Sequence, residues 1–199
     1  MANAPAASAT GSGYWIVPIA RAVLALVSAL VITFSPDHSA EFGLLVFGAF
    51  AVLTGLVVAV TARRTLTDGP TRTLFVVHGI VGILSGALAL LFSTGGLGFF
   101  LYLVSVWAAV TGFIELYSGV RVRNRTAFSR DWIVTGTATA VLALVFLLLP
   151  PNAVVSVGLL SAYLVLLGVY LAIAGLSLKW AIAADQRAPQ SVANESENL

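Results

Sequence analysis

Long apolar stretches alternate with short polar ones along the 199-residue chain, at 14–34, 41–62, 73–92, 99–120, 132–149 and 153–179. Each is close to the ~20 residues that a helix needs to cross a hydrocarbon core ~30 Å thick. None shows the ten-residue alternation of a membrane-spanning strand. A segment in lipid must also satisfy its own backbone hydrogen bonds, which a helix does. The pattern predicts an all-α integral membrane protein with six transmembrane helices.

The polar interruptions repeat as well. Arg21-Ala22, His78-Gly79 and Thr135-Gly136 follow one another at 57-residue intervals, and each precedes an aromatic-x4-Gly step: Phe50/Gly55, Trp107/Gly112 and Tyr163/Gly168. One two-helix unit is therefore used three times, at 14–62, 73–120 and 132–179. Copies of a unit that crosses and returns all enter from the same side, and parallel repeats of this kind are related by an axis along the membrane normal. Three parallel hairpins in pseudo-threefold arrangement about that normal are expected, with a filled or a hollow centre. Close helix contact in lipid needs small residues. Gly55, Gly82, Gly86, Gly112 and Gly168 are the helix-packing candidates, and the spacings Gly82-x3-Gly86, Ser105-x3-Ala109, Gly158-x3-Ala162 and Gly168-x3-Ala172 mark faces for it.

Charge fixes the expected direction. The connectors 35–40, 94–98 and 150–152 contain no Lys or Arg, whereas 63–72 and 121–131 hold Arg63, Arg64, Arg72, Arg121, Arg123, Arg125 and Arg130, and Lys179 and Arg187 follow the last span. Every basic residue except Arg21 thus falls on one side, which the positive-inside rule makes cytoplasmic. Both termini are expected there, with Trp15, Trp132 and Trp180 as interfacial anchors. Residues 1–13 lack a basic signal-peptide start, and both 1–13 and 181–199 read as disordered segments flanking a membrane domain at 14–180.

Composition narrows the chemistry. Hydrophobic residues make up 59% of the chain and charged ones 9%, far below the roughly 25% charge of soluble domains. The sequence pI of about 9.3 comes from arginines at helix ends rather than from a continuous basic face, so no nucleic-acid partner is expected. There are no cysteines, and two histidines on opposite sides of the membrane make no metal site. No cofactor is implied. No paired nucleophile and base, HExxH or Ser-x-x-Lys occurs, so catalytic residues are expected to be none.

Two polar groups remain as candidates. Arg21, His78 and Glu115 lie ~8–10 Å inside their spans by helical rise, and form a candidate intramembrane polar layer. A charge deep in a span costs ~2.5–3.5 kcal/mol, and an Arg/Glu pair ~4 Å apart recovers a comparable amount at an effective dielectric near 20. A salt bridge between Arg21 and Glu115, shared with His78, is therefore expected. The competing readings are an arginine that snorkels to the headgroups, a neutral histidine bonded to a carbonyl, and a protonated glutamic acid. At the outer turn, Asp37, His38 and Glu41 form a candidate pH-sensitive cluster, while Asp37 and Ser39 also suit helix capping.

The threefold pattern resembles the HdeD-like acid-resistance membrane proteins of bacteria. It is carried by Arg21-Ala22, Pro36 and Gly55, by His78-Gly79, Gly112 and Glu115, and by Thr135-Gly136, Pro150 and Gly168. Two departures stand out: Ala22 replaces an expected glycine, and Ser93-Thr94-Gly95-Gly96 replaces the second turn proline. The resemblance implies a multi-pass protein of the bacterial inner membrane, non-enzymatic and linked to tolerance of low pH. A small proton- or solute-conducting transporter that uses the Arg21/His78/Glu115 layer is the rival reading. The third is a membrane scaffold or assembly partner, with anionic lipid at the cytoplasmic arginine loops, or a second copy or another membrane protein as its partner.

Overall fold

The computed structural model describes residues 15–66, 68–123 and 129–197, with side chains followed to Ala181. The expected disordered segment 1–13 lies outside these residues. Six helices account for nearly all of it: α1 Ile16–Phe34, α2 Ala40–Thr65, α3 Gly69–Leu91, α4 Gly96–Arg121, α5 Ser129–Leu148 and α6 Ala153–Glu197. All six are long and apolar enough to cross a membrane, α6 over its stretch Ala153–Ala181.

Local chemistry sets the boundaries. Ser39 caps α2 by accepting from the Phe42 amide at 3.2 Å, and Asp37 braces the cap by accepting from the Ser39 amide at 2.8 Å. Asp68 caps α3 in the same way, accepting from the Thr71 amide at 3.1 Å, with Pro70 in the first turn where its missing N–H costs nothing. This cap corrects the expected ten-residue loop at 63–72. Arg63 and Arg64 belong to the last turn of α2, Arg72 to the first turns of α3, and the connector shrinks to 66–68. Asn152 opens α6, accepting from the Val155 amide at 3.1 Å. Where the second copy lacks a turn proline, a short 3-10 turn at Ser93–Gly95 leads into Gly96, whose φ of 77° is a conformation glycine adopts without a Cβ clash.

Helical backbone of α6 runs on to Glu197.

The helices follow one another around the bundle in chain order, and α6 closes it against α1. The most extensive contacts join α2 to α3, α4 to α5 and α6 to α1, and they exceed those of α1 with α2, α3 with α4 and α5 with α6. Small residues make this possible. A Cβ on Gly55 would lie 2.6 Å from the Gly79 carbonyl oxygen, and one on Gly136 would collide with the Leu116 amide nitrogen and lie 2.9 Å from the Gly112 carbonyl oxygen. Gly168 meets Leu26 and the Ala22 carbonyl oxygen. The glycine of each aromatic-x4-Gly step thus faces the small residue of a polar-small pair, and Ala22 suffices at the α1–α6 contact. Gly82 and Gly86 pack on Ala51, Gly55 and Gly48 of α2. Gly158, by contrast, has no neighbour near enough to touch an added Cβ. Its small-residue spacing therefore marks no helix contact, and Ala109 of the Ser105-x3-Ala109 spacing is exposed.

The centre is filled. Phe47, Phe50, Phe100, Val104, Leu160 and Leu164 are all but fully buried together. Trp107 meets Phe47 edge-on at 5.2 Å and Phe50 at 6.0 Å between ring centroids. The outer surface carries Val23, Leu84, Phe113, Leu144 and Leu166 among many exposed apolar side chains, as a lipid-facing surface requires.

Candidate functional site

The polar layer assembles from four helices. Arg21 of α1 donates from Nη2 to Glu115 Oε1 of α4 at 2.7 Å, within the range of a charge-assisted bond. His78 of α3 brings Nε2 to 3.9 Å from the same carboxylate oxygen, beyond direct hydrogen-bonding reach. Glu115 is 1% exposed, His78 4% and Arg21 9%, so the guanidinium turns into the bundle rather than snorkelling to the headgroups. Phe75 stacks on the His78 ring at 6.1 Å. Among the described residues, His78 Nδ1 and Glu115 Oε2 have no hydrogen-bond partner of good geometry.

Thr135 of α5 is the member that sequence reasoning left out. Its hydroxyl lies beside the Glu115 carboxylate while donating to the Asp131 carbonyl at 2.9 Å. The signal was in the repeat, because Thr135 stands in 57-residue register with Arg21 and His78. Glu115 has no counterpart of its own kind. Val58 and Leu171 occupy its register positions in the flanking copies, and both are buried. Three repeat-related positions on α1, α3 and α5 thus converge on a single carboxylate.

Two small cavities touch Arg21 from the end of the bundle that carries the arginine connectors. One, about 30 Å³, is bounded by Val17, Asp131, Trp132 and Thr135. The other, about 20 Å³, is bounded by Val58, Thr61, Phe75 and Trp132. Each has the volume for a single water. Toward the opposite end lies the aromatic filling around Trp107.

Other polar groups are used locally. Tyr163 and Thr139 share a hydrogen bond of 2.8 Å, Thr33 and Ser161 one of 3.0 Å, and Tyr170 donates to Asp131 Oδ1 at 2.9 Å. Trp132 is not the interfacial anchor that was expected. It is 6% exposed and packs on Phe75 at 4.5 Å, because α5 begins at Ser129 and carries the indole past the helix end. Trp15 does sit at a helix end, with Lys179 Nζ 4.9 Å above its ring, and Trp180 is exposed. At the turn between α1 and α2 Asp37 is committed to Ser39, and among the described residues no ion pair links Asp37, His38 and Glu41. Arg125 lies outside the described residues.

Six apolar helices with lipid-facing side chains and a buried ion pair define a multi-pass α-helical membrane protein. The chain belongs to the family described as a short repeat of unknown function, DUF308, whose model matches residues 20–91 and again 77–148. The two matches are offset by 57 residues at both ends, the interval that separates Arg21 from His78. No curated protein and no solved structure matches it.

Proposed function

We propose that this is a non-enzymatic protein of the bacterial inner membrane, of the HdeD-like acid-resistance type, with both termini in the cytoplasm and its three hairpins in pseudo-threefold order about the membrane normal. DUF308 is the family that contains the HdeD-like proteins, and the arginine-bearing connectors support the orientation. The observation that carries the reading is the filled centre. Phe47, Phe50, Phe100 and Trp107 occupy the space that a conduction path needs, and Glu115 is held by Arg21. In this reading the ion pair is an internal fastener for a bundle whose role is to remain intact under acid stress.

The conducting alternative draws on the two cavities beside Arg21, which bring water-sized space next to an ionisable layer from one side. The experiment is proton entry into liposomes holding the purified protein, followed with an internal pH dye under an imposed gradient. Rates equal to those of protein-free vesicles are expected. Flux that disappears in Glu115→Gln overturns the non-conducting reading.

A further inference from the structure

The third hairpin departs from the other two. α5 and α6 touch far less than α1 and α2 or α3 and α4, and between them runs an open cleft of about 450 Å³. Its walls include Val141, Val145, Leu159 and Leu166, and Ala138 lies on its α5 side. Ala138 explains the opening. In 57-residue register it occupies the place of Leu24 in α1 and Val81 in α3, both of which pack on the core. Two copies place a branched side chain against the core at this position, and the third has only an exposed methyl group.

The cleft has a polar mouth. A second space of about 410 Å³ continues from it through the shared residues Val134 and Tyr170, and is bounded by Arg130, Asp131 and Ser177. From Val134 to Val145 the apolar part runs ~16 Å by helical rise, about half of a ~30 Å hydrocarbon core. The mouth therefore sits at headgroup depth on the arginine-connector side, with one leaflet's thickness of apolar wall beneath it. Its volume falls among those of small-molecule sites.

We propose that this cleft binds one phospholipid whose headgroup carries both a phosphate and a primary ammonium, as in phosphatidylethanolamine. One acyl chain lies along Ala138, Val141 and Leu166. The phosphate meets Arg130, which is exposed and stands in the first turn of α5, where the helix dipole also favours an anion. The ammonium meets Asp131, whose carboxylate is oriented by the Tyr170 hydroxyl at 2.9 Å. A purely anionic headgroup leaves Asp131 facing like charge, and a trimethylated one offers it no N–H donor. One cation and one anion at the same mouth thus select the zwitterion with a free ammonium.

Native mass spectrometry of the full-length protein tests this with phosphatidylethanolamine, phosphatidylglycerol and phosphatidylcholine offered at equal concentration. One phosphatidylethanolamine per chain is expected to survive delipidation in preference to the other two. Ala138→Leu, which introduces the residue that the first copy carries, is expected to remove it while the thermal melt is unchanged or raised. Arg130→Ala weakens retention about fivefold, the share of one near-surface arginine, and Asp131→Asn abolishes the preference over phosphatidylcholine. The proposal is overturned if the wild type retains phosphatidylglycerol or phosphatidylcholine equally well, if Ala138→Leu retains the lipid at full strength, or if a second copy of the chain occupies the cleft, seen as a dimer that Ala138→Leu dissociates.

Discussion

Arg21 and Glu115 stand 94 positions apart in the chain and 2.7 Å apart in the bundle. Removing one member of a buried pair strands the other charge, at a cost of about 3–5 kcal/mol, whereas replacing both by apolar residues of similar size is often neutral. Arg21→Ala and Glu115→Ala are each expected to lower the thermal midpoint in detergent sharply. Arg21→Met combined with Glu115→Leu, which gives the second copy the residue found at Leu171, is expected to recover most of the loss. Additive losses around the cycle would show that the two residues do not interact.

The glycine crossings predict a contrast. A Cβ on Gly79 would approach the Gly55 carbonyl oxygen to 2.5 Å and the Ala59 Cβ to 2.6 Å, so Gly79→Leu must push α2 and α3 apart. Overpacking of this kind costs about 1–3 kcal/mol or more. Gly158→Ala meets nothing and replaces the poorest ordinary helix former, so a gain of up to ~1 kcal/mol is expected. Thermal unfolding of the two variants in one detergent compares them directly.

Trp107 should be among the costliest truncations in the chain. It fills the centre between Phe47 and Phe50, and Trp→Ala in a packed core costs about 3–5 kcal/mol. Val141→Ala, on the exposed rim of the α5–α6 cleft, is expected to cost under ~1 kcal/mol. Equal losses for the two would mean that the centre is not the packed region.

Because the chain has no cysteine, a single introduced one reports topology without background. In intact cells a membrane-impermeant maleimide is expected to label a cysteine at position 38 and to spare one at position 123. Labelling of position 123 from outside would reverse the orientation inferred from the arginines.

Much of the architecture was legible because the bilayer imposes a strict pattern. The six apolar runs predict six helices with ends in error by a few residues, and the 57-residue interval survives in how Gly55 meets Gly79 and Gly112 meets Gly136. The errors have local causes. Asp68 caps α3 and turns most of an apparent arginine loop into helix. Trp132 looked interfacial because hydropathy places it at the edge of a run, and the early start of α5 buries it. Gly158-x3-Ala162 matched a packing motif by spacing alone. The meeting of Arg21, His78 and Glu115 was foreseeable from shared depth, but depth gives no azimuth. Only the repeat register, extended to Thr135, points to the same side chains facing inward. The α5–α6 cleft was hidden because its cause, Ala138 in the place of Leu24 and Val81, is a matter of volume rather than of polarity.

The contact of α6 with α1 limits how this architecture evolves. Because α6 lies along α1, the seam between the first and last helices is already occupied, and an added unit cannot extend the bundle there as it would extend a solenoid. Duplication within such a gene would have to break the closing seam at Ala22 and Gly168 before an added hairpin found a place.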